Sequence, residues 1–545
     1  MEHIQTLRRR AFEEKAKKKH PIPLGTSVDS LPNEMLSYIF TLGSEEEEEA
    51  EYGLAIRRRP RHLPFKVLVS HICRRWRTVV IETSTLWTHL KFAEGPPFHK
   101  SRTWLERSKR CMLDIDLYCA IGAANSDESD DLPDASSNDN DDNGNDERVA
   151  PEDRDAPSGD LAPAKTKARG FLRRELSSSS LPIVRDLILP HAWRWRFFDL
   201  MADDDQDMYD ILSTLSSIPE AAQLQVLRLY QYDEDDLEHF WSPHLKQPFA
   251  PFCGRAPNLV RLALYGVHVD WAACDFLQGL EELELAFHAK DVRPSYDIFA
   301  RVLRRSPNLH HLTLRESGPA GDPEDWPTDA IKLRSVRHLV LAFVEPSYAS
   351  ALMKRLVFPN LSKLALDFRA AGGNNYSSFL VQLATSPTTT AAAALKRRRH
   401  HHSLCHNLID LEISGTRCTK SALATFYGAL VNLASLNINC HRLPRLFYEY
   451  LFPYVRETDE LQGCYLPKLE TLSTTGIDGK EMRHLLRQRI EVPIKHVLMD
   501  SAVDVNVKDE AWIRRKVETF DFFDCSDDED YEVSEVDEQE MESAE

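Results

Sequence analysis

No two of the ten cysteines are spaced C-x-x-C, and none falls at the intervals of a zinc ribbon or a disulfide framework. They are scattered singly from Cys73 to Cys525, the pattern of reduced thiols in a cytoplasmic or nuclear protein. No apolar run approaches the roughly 18 residues that cross a membrane. The N-terminal stretch, with Arg8-Arg9-Arg10 and Lys17-Lys18-Lys19, lacks the apolar centre of a signal peptide. Positive charge is in deficit: 67 Lys and Arg stand against 86 Asp and Glu, a formal charge of −19. That balance opposes general nucleic-acid binding, which depends on neutralising phosphates. Catalytic signatures are missing as well. There is no GxSxG elbow and no HExxH, and Gly476-x-x-Gly479-Lys480 has the wrong spacing for a phosphate loop and no following Ser or Thr. The expectation is a soluble intracellular protein that is not an enzyme and uses no cofactor.

What the chain does have begins between Leu31 and Leu90. Leu31, Met35 and Ile39 recur every four residues with Leu36 and Phe40 beside them, the apolar stripe of an amphipathic helix that Pro32 can open. Leu68, Ile72, Trp76 and Val79 repeat the pattern and predict a second helix. Helices this short are marginal alone and must pack on each other or on a partner. Between them, residues 43–64 carry an acidic run, Glu45 to Glu49, and a basic run, Arg57 to Arg61. A surface loop is expected there, since closure costs rise only about 0.6 kcal/mol per doubling of length.

The order Leu31-Pro32-x-Glu34-x-Leu36-x-x-Ile39-Phe40, then Ile72-Cys73-Arg74-x-Trp76-Arg77, then Leu86-Trp87-x-x-Leu90 resembles the F-box. The resemblance implies a small helical module at 25–92 that docks on the Skp adaptor of Skp/cullin/F-box ubiquitin ligases. It points to Leu31, Pro32, Leu36, Ile39, Phe40, Ile72, Cys73, Trp76 and Trp87 as adaptor-binding residues, several of which must also serve the module's own core.

The remaining chain divides by composition. Residues 1–24 form a basic N-terminal segment, and 93–121 a connector in which Leu113, Ile115 and Leu117 alternate with Asp114 and Asp116 as a half-buried strand does. Residues 122–180 and 524–545 are rich in Asp, Glu and Ser and poor in aromatics, the composition of disordered acidic segments. Asp139-x-Asp141-x-Asn143-Gly144 imitates a calcium loop but has Ala150 where a bidentate Glu is required. Ser126, Ser526 and Ser534 stand next to acidic residues, a context that acid-directed kinases favour.

Residues 181–523 read as a repeat. Leu-x-x-Leu-x-Leu, with Val, Ile or Met allowed, starts at Val184, Leu224, Leu259, Leu280, Leu309, Val336, Leu361, Leu408, Leu433, Leu469 and Ile494. Most of the spacings fall within the roughly 20 to 29 residues of leucine-rich repeats. Pro-Asn precedes Leu259, Leu309 and Leu361 as recurrent turn chemistry, while Tyr296–Leu303 and Ser421–Tyr427 have helical patterns. A long loop at 385–403 carries Lys396-Arg397-Arg398-Arg399 and His400 to His402. With Cys405 and His406 these are metal-capable side chains, but a solvated loop, able to serve nuclear import, is the better reading, and no metal site is assigned.

The expected fold class is therefore α/β: a helical F-box module followed by a leucine-rich-repeat-like solenoid, with disordered acidic segments. Side chains flanking the inward leucines form a candidate substrate face of Arg228, Tyr230, Tyr265, Glu282, Glu284, His311, Arg315, Lys363, Asp367 and Glu412, with Arg261, His338, Asp410, Asn437 and His496 beside them. Tyr and Arg are enriched at interface hot spots. The expected function is a substrate receptor in a Skp/cullin ubiquitin ligase, with an unknown protein substrate and no membrane or nucleic-acid partner. The alternatives are an F-box scaffold acting outside a ligase and a leucine-rich-repeat interaction protein.

Overall fold

The computed structural model describes residues 28–53, 63–119, 176–231, 242–368, 374–385, 403–455 and 462–523. The basic N-terminal segment, the basic run Arg57 to Arg61, most of the acidic linker, the Lys396 to His402 run and the acidic tail lie outside them. The chain divides into two compact units, residues 1–90 with 99–113, and residues 91–98 with 114–545.

The first unit is helical. Its α1 (Asn33–Gly53) does not end near Phe40 as the sequence suggested; it runs 21 residues, through Gly43 and the acidic run. Glutamates are good helix formers and need no core. The second expected helix is instead two, α2 (Phe65–Ser70) and α3 (Arg74–Glu82). Cys73 makes the break: its backbone is extended and its Sγ accepts the Trp76 N–H at 3.4 Å, so it caps α3. A fourth helix, α4 (His99–Arg107), lays Trp104 edge-on to Trp87, ring centroids 5.7 Å apart.

The second unit is mixed α/β, built on a large parallel sheet. From Trp195–Ala202 to Thr519–Phe523, the sheet's strands lie side by side in chain order, each pair parallel. Ten of the eleven expected repeat starts sit two residues ahead of one of these strands, from Leu224 before Val226–Gln231 to Ile494 before His496–Asp500. Leu113–Cys119 is a strand as expected. Val184 is the exception. It lies buried in the helix Leu181–Ile188, because Leu181, Val184 and Ile188 follow helical rather than strand spacing. The next strand, Trp195–Ala202, has a mixed aromatic sequence that the leucine pattern does not find.

Packing follows the period. Leu312 and Leu314, Leu339 and Leu341, and Leu364 and Leu366 point inward, each at most 1% exposed, and the leading residues Leu309, Val336 and Leu361 turn in beneath them. Burying one such side chain contributes about 1.5–3 kcal/mol. The leading leucine is set by a tight turn: Leu259 N–H donates to Ala256 O at 3.1 Å, and Leu309 to Ser306 O at 3.1 Å. In the Pro-Asn turns, Asn258 Nδ2 donates to Ala222 O at 2.7 Å and Asn360 Nδ2 to Arg334 O at 2.8 Å, fastening each turn to the one before. Helices such as Tyr296–Arg305, Lys420–Ala429 and Gly479–Gln488 link the strands; Ser295, Thr419 and the Asp478/Glu481 capping box hold their N-termini.

His288 is fully buried among these turns, its Nε2 donating to Val267 O at 3.1 Å and its Nδ1 2.9 Å from Ser317 Oγ. Burial, reinforced by Arg293, lowers its pKa from 6.5 to about 3. Between those values the unfolded chain binds a proton that the folded chain refuses, so stability is lost as the pH falls below 6.5. At pH 5 the loss from this side chain is about 2 kcal/mol relative to pH 7.5. Urea unfolding at the two pH values measures it: the difference shrinks in His288→Asn, and an unchanged difference contradicts the assignment.

Candidate functional site

The helical unit sorts the motif residues into two groups. Leu36 and Phe40 are 1% exposed and Trp87 is 2%; they are core. Phe40 meets half-buried Trp76 at 5.0 Å, and Trp87 Nε1 donates to Val80 O at 3.0 Å. Arg75 joins the two halves, its guanidinium donating to Asn33 Oδ1 at 3.0 Å and to Leu31 O. Ser37 Oγ and Thr83 Oγ1, 2.7 Å apart, add a second tie. Leu31 is half-buried, Pro32 and Cys73 are exposed, and Ile39 and Ile72 stand 42% and 58% exposed.

Beside Ile39 and Ile72 the structure exposes large apolar side chains that the sequence reading did not single out as surface: Met35, Tyr38 and Leu42 on α1 and Leu68 on α2. Met35, Tyr38, Ile39 and Leu42 follow i, i+3, i+4, i+7 spacing, one face of α1, while Leu36 and Phe40 define the buried face. The signal was present, but a single helix carrying two apolar faces cannot be told from one broad core face without its neighbours.

The acidic run has a structural role. Glu47 Oε2 accepts the Phe65 N–H at 2.8 Å, satisfying the first amide of α2 with a carboxylate at the positive end of that helix. Gly43 makes room for the same residue, because a Cβ there would stand 2.3 Å from the Phe65 ring.

On the sheet of the second unit the strands pair residue for residue, so the candidate face residues fall into rows. The first row runs Arg261, Glu282, His311, His338, Lys363, Asp410. The second runs Arg228, Ala263, Glu284, Thr313, Val340, Ala365, Glu412, Asn437. The third runs Tyr230, Tyr265, Ala286, Arg315, Ala342, Asp367. The structure thus brings the ten predicted face residues onto one face of one sheet.

Charges on this face are largely matched between strands. Glu282 lies 3.5 Å from both Arg261 and His310, Glu284 3.5 Å from Arg315, Lys363 3.3 Å from Asp410, and Arg228 3.8 Å from buried Asp199. Such partly exposed pairs contribute at most about 1 kcal/mol each, so they set pattern more than stability. His311 and His338 stack with centroids 4.1 Å apart. Burial lowers both imidazoles, His338 to about 3 with His311 and Lys363 adding to the effect, so the pair is neutral at physiological pH. The first row continues through Ser435 and Thr471 to His496, whose Nδ1 lies 2.8 Å from Oγ1 of its neighbour Thr519.

The rows continue past the strands. Gly266, Phe287, Glu316, Phe343, Gly415 and Gly476 each follow the fifth residue of a strand and all have positive φ, between 42° and 67°. Their amides extend the ladder: Phe287 N–H donates to Arg315 O and Phe343 N–H to Asp367 O, both at 2.8 Å. Glycine adopts this conformation without penalty, whereas a side-chain-bearing residue costs about 1–2 kcal/mol. Phe287 and Phe343, missed by the sequence reading because they lie outside the leucine pattern, add their rings to the tyrosine rows. Tyr230 and Tyr265 are 6.1 Å apart, Tyr265 and Phe287 4.6 Å, Phe287 and Phe343 5.4 Å.

Among the described residues no cluster of three or more His, Cys, Asp or Glu could hold a metal ion, and no helix is long and apolar enough to cross a membrane. Cys405 of the metal-capable group is a buried thiol that desolvation keeps protonated, while His400 to His402 lie outside the described residues. No protein-family model matches the chain, and a search of curated proteins returns no similar sequence.

The Gly43 contact is open to a direct check. Gly43→Ala forces the Phe65 ring to move and lowers the stability of the helical unit by about 1–3 kcal/mol. Thermal or urea unfolding of the full chain measures the loss, and a wild-type transition would show that α1 and α2 do not pack as described.

Proposed function

We propose that the chain is a substrate receptor of a Skp/cullin/F-box ubiquitin ligase, with an F-box-like helical unit that docks on the Skp adaptor and a leucine-rich-repeat-like array that binds a protein substrate. The observation that carries the first half is the exposure of Met35, Tyr38, Ile39, Leu42, Leu68 and Ile72 on a unit whose core is otherwise closed around Leu36, Phe40, Val80 and Trp87. Scattered single apolar residues on a surface need no explanation; an apolar face along α1, with Leu68 and Ile72 of the motif's second half also exposed, suits a protein partner. The docking set accordingly shifts from the motif residues as a whole to the exposed ones, and Leu36, Phe40 and Trp87 become supports of the surface.

The second half rests on the strand period, the inward leucines and the face of matched charges and aromatic rings. The chain acts here as a receptor without bond chemistry of its own. Ubiquitin transfer is promoted by raising the effective concentration of substrate near the charged enzyme.

Purified Skp adaptor tests the docking assignment. Ile39→Glu and Ile72→Glu change exposed positions, so the fold is retained while a charge replaces apolar contact worth about 1.5–3 kcal/mol per side chain. Binding is expected to weaken by about tenfold or more in each, with the unfolding transition within about 0.5 kcal/mol of wild type. No binding by wild type, or unchanged binding by both variants, overturns the reading.

A further inference from the structure

Trp512 stands at the centre of a group of cations. It lies half-buried in the helix Val507–Lys516, and the guanidinium groups of Arg483 and Arg487, from the neighbouring helix Gly479–Gln488, sit over its ring, 5.3 and 5.2 Å from the centroid. On its own helix Lys508 at i−4, Arg515 at i+3 and Lys516 at i+4 have the spacings that bring side chains together on a helix surface, and all three are exposed. Carboxylates at the borders of this group are engaged. Arg483 Nη1 donates to Asp509 Oδ1 at 2.8 Å, and this bond, with Lys480 adding its charge, holds the Asp509 carboxyl below its ordinary range. Glu510 pairs with Arg514 at 2.8 Å, and Glu481 with Arg445. Among the described residues, Arg487, Lys508, Arg515 and Lys516 have no carboxylate within 4.0 Å. In a chain of formal charge −19, this is a surface on which an anionic segment gains attraction.

We infer that this group is the docking site of the chain's own acidic segment, residues 524–545. That segment lies outside the described residues; it carries 12 Asp and Glu and has no Lys, Arg or His. Its point of departure is set by the sheet. Phe523 closes the last strand, and its carbonyl accepts the Ser501 N–H at 2.8 Å, beside the turn that opens the helix at its Lys508 end. A helix of 10 residues is about 15 Å long, so about five extended residues span it. The run Asp527 to Glu532 places five carboxylates in six residues, enough to lie along Lys508, Arg515 and Lys516 with Arg487 at its flank. A guanidinium lying over a ring still presents its N–H edge to a carboxylate. Attachment also favours this occupant, because a short linker raises the local concentration to the millimolar range, and an outside anion would have to displace it. The contact goes beyond the receptor reading: it closes this helical face to other anions and stands whether or not the adaptor binds.

The test is carbodiimide cross-linking of the full-length chain, which joins a carboxylate to a lysine amine in direct contact, with the products mapped by mass spectrometry. At low salt, links are expected from residues 524–545 to Lys508 and Lys516, and they are expected to fall as salt screens the contact. Arg487→Gln with Arg515→Gln leaves both lysines in place. It is expected to lower these links by about fivefold or more, the loss of two exposed ion pairs, with the thermal midpoint unchanged. Where Arg487→Gln lowers the midpoint by leaving Trp512 bare, Arg515→Gln alone carries the test, with a fall of about twofold. Unchanged links in these variants, or no links at low salt, overturn the proposal. Links from the segment mainly to Lys17, Lys18 and Lys19, or to Lys396, place it on another basic run and also overturn it. A mixture of isotope-labelled and unlabelled chains is cross-linked in parallel: links within one chain are expected, and links found only between labelled and unlabelled chains overturn docking of the chain's own segment.

Discussion

One carbonyl before each strand accepts two amides from the next turn, and the rest of the large unit depends on that repeated contact. Glu281 O accepts the N–H groups of His310 and His311, His310 O those of Arg337 and His338, and Arg337 O those of Ser362 and Lys363. The same arrangement recurs at Ser362, Ile409, Ala434, Glu470 and Lys495. Because both amides reach one acceptor, a strand cannot slip along its neighbour without breaking two bonds at its start. A slip by one residue would also move every inward leucine to the outer face. Zero offset between strands follows, and with it the alignment of equivalent side chains into straight rows.

Rows are what make a surface out of an irregular sequence. Insertions of very different length separate the strands, yet Glu282, His311, His338 and Lys363 still come out side by side, because length is absorbed in the turns and helices. The inward leucines supply the stability, and the outward positions are left open to charge and aromatic character. The left-handed turns at Phe287 and Phe343 give up about 1–2 kcal/mol each relative to glycine, a loss the buried rows can offset. In the helical unit the same division appears within a single helix, with Leu36 and Phe40 closing the core and Met35, Tyr38, Ile39 and Leu42 left outside it.

Much of the sheet was legible in the sequence because a strand that buries Leu at alternate positions after a turned-in leucine repeats a pattern that few other structures need. Ten strands were located to within their first residues. The eleventh start failed at Val184, where a three-and-four spacing looks like an alternating one over a short window. Trp195–Ala202 was invisible because Trp195, Phe198 and Leu200 fill its core positions without the repeated leucines. The candidate face residues fall in rows on one side of the sheet because strand geometry dictates it, whereas Phe287 and Phe343 lie outside the leucine pattern, placed by a backbone turn. In the helical unit, the motif named residues without separating core from surface. That separation depends on which face α2 and α3 cover, and on a helix that Gly43 lets run on against Phe65.

In the receptor proposed above, exposed apolar residues of the helical unit, and not the sheet, meet the adaptor. Hydrogen–deuterium exchange of the full chain with and without purified Skp adaptor tests it most directly. Added protection is expected in peptides covering Leu31 to Ser44 and Val67 to Arg77, with exchange across the strands from Trp195 to Phe523 unchanged. Protection confined to the sheet, or none anywhere at saturating adaptor, would contradict it.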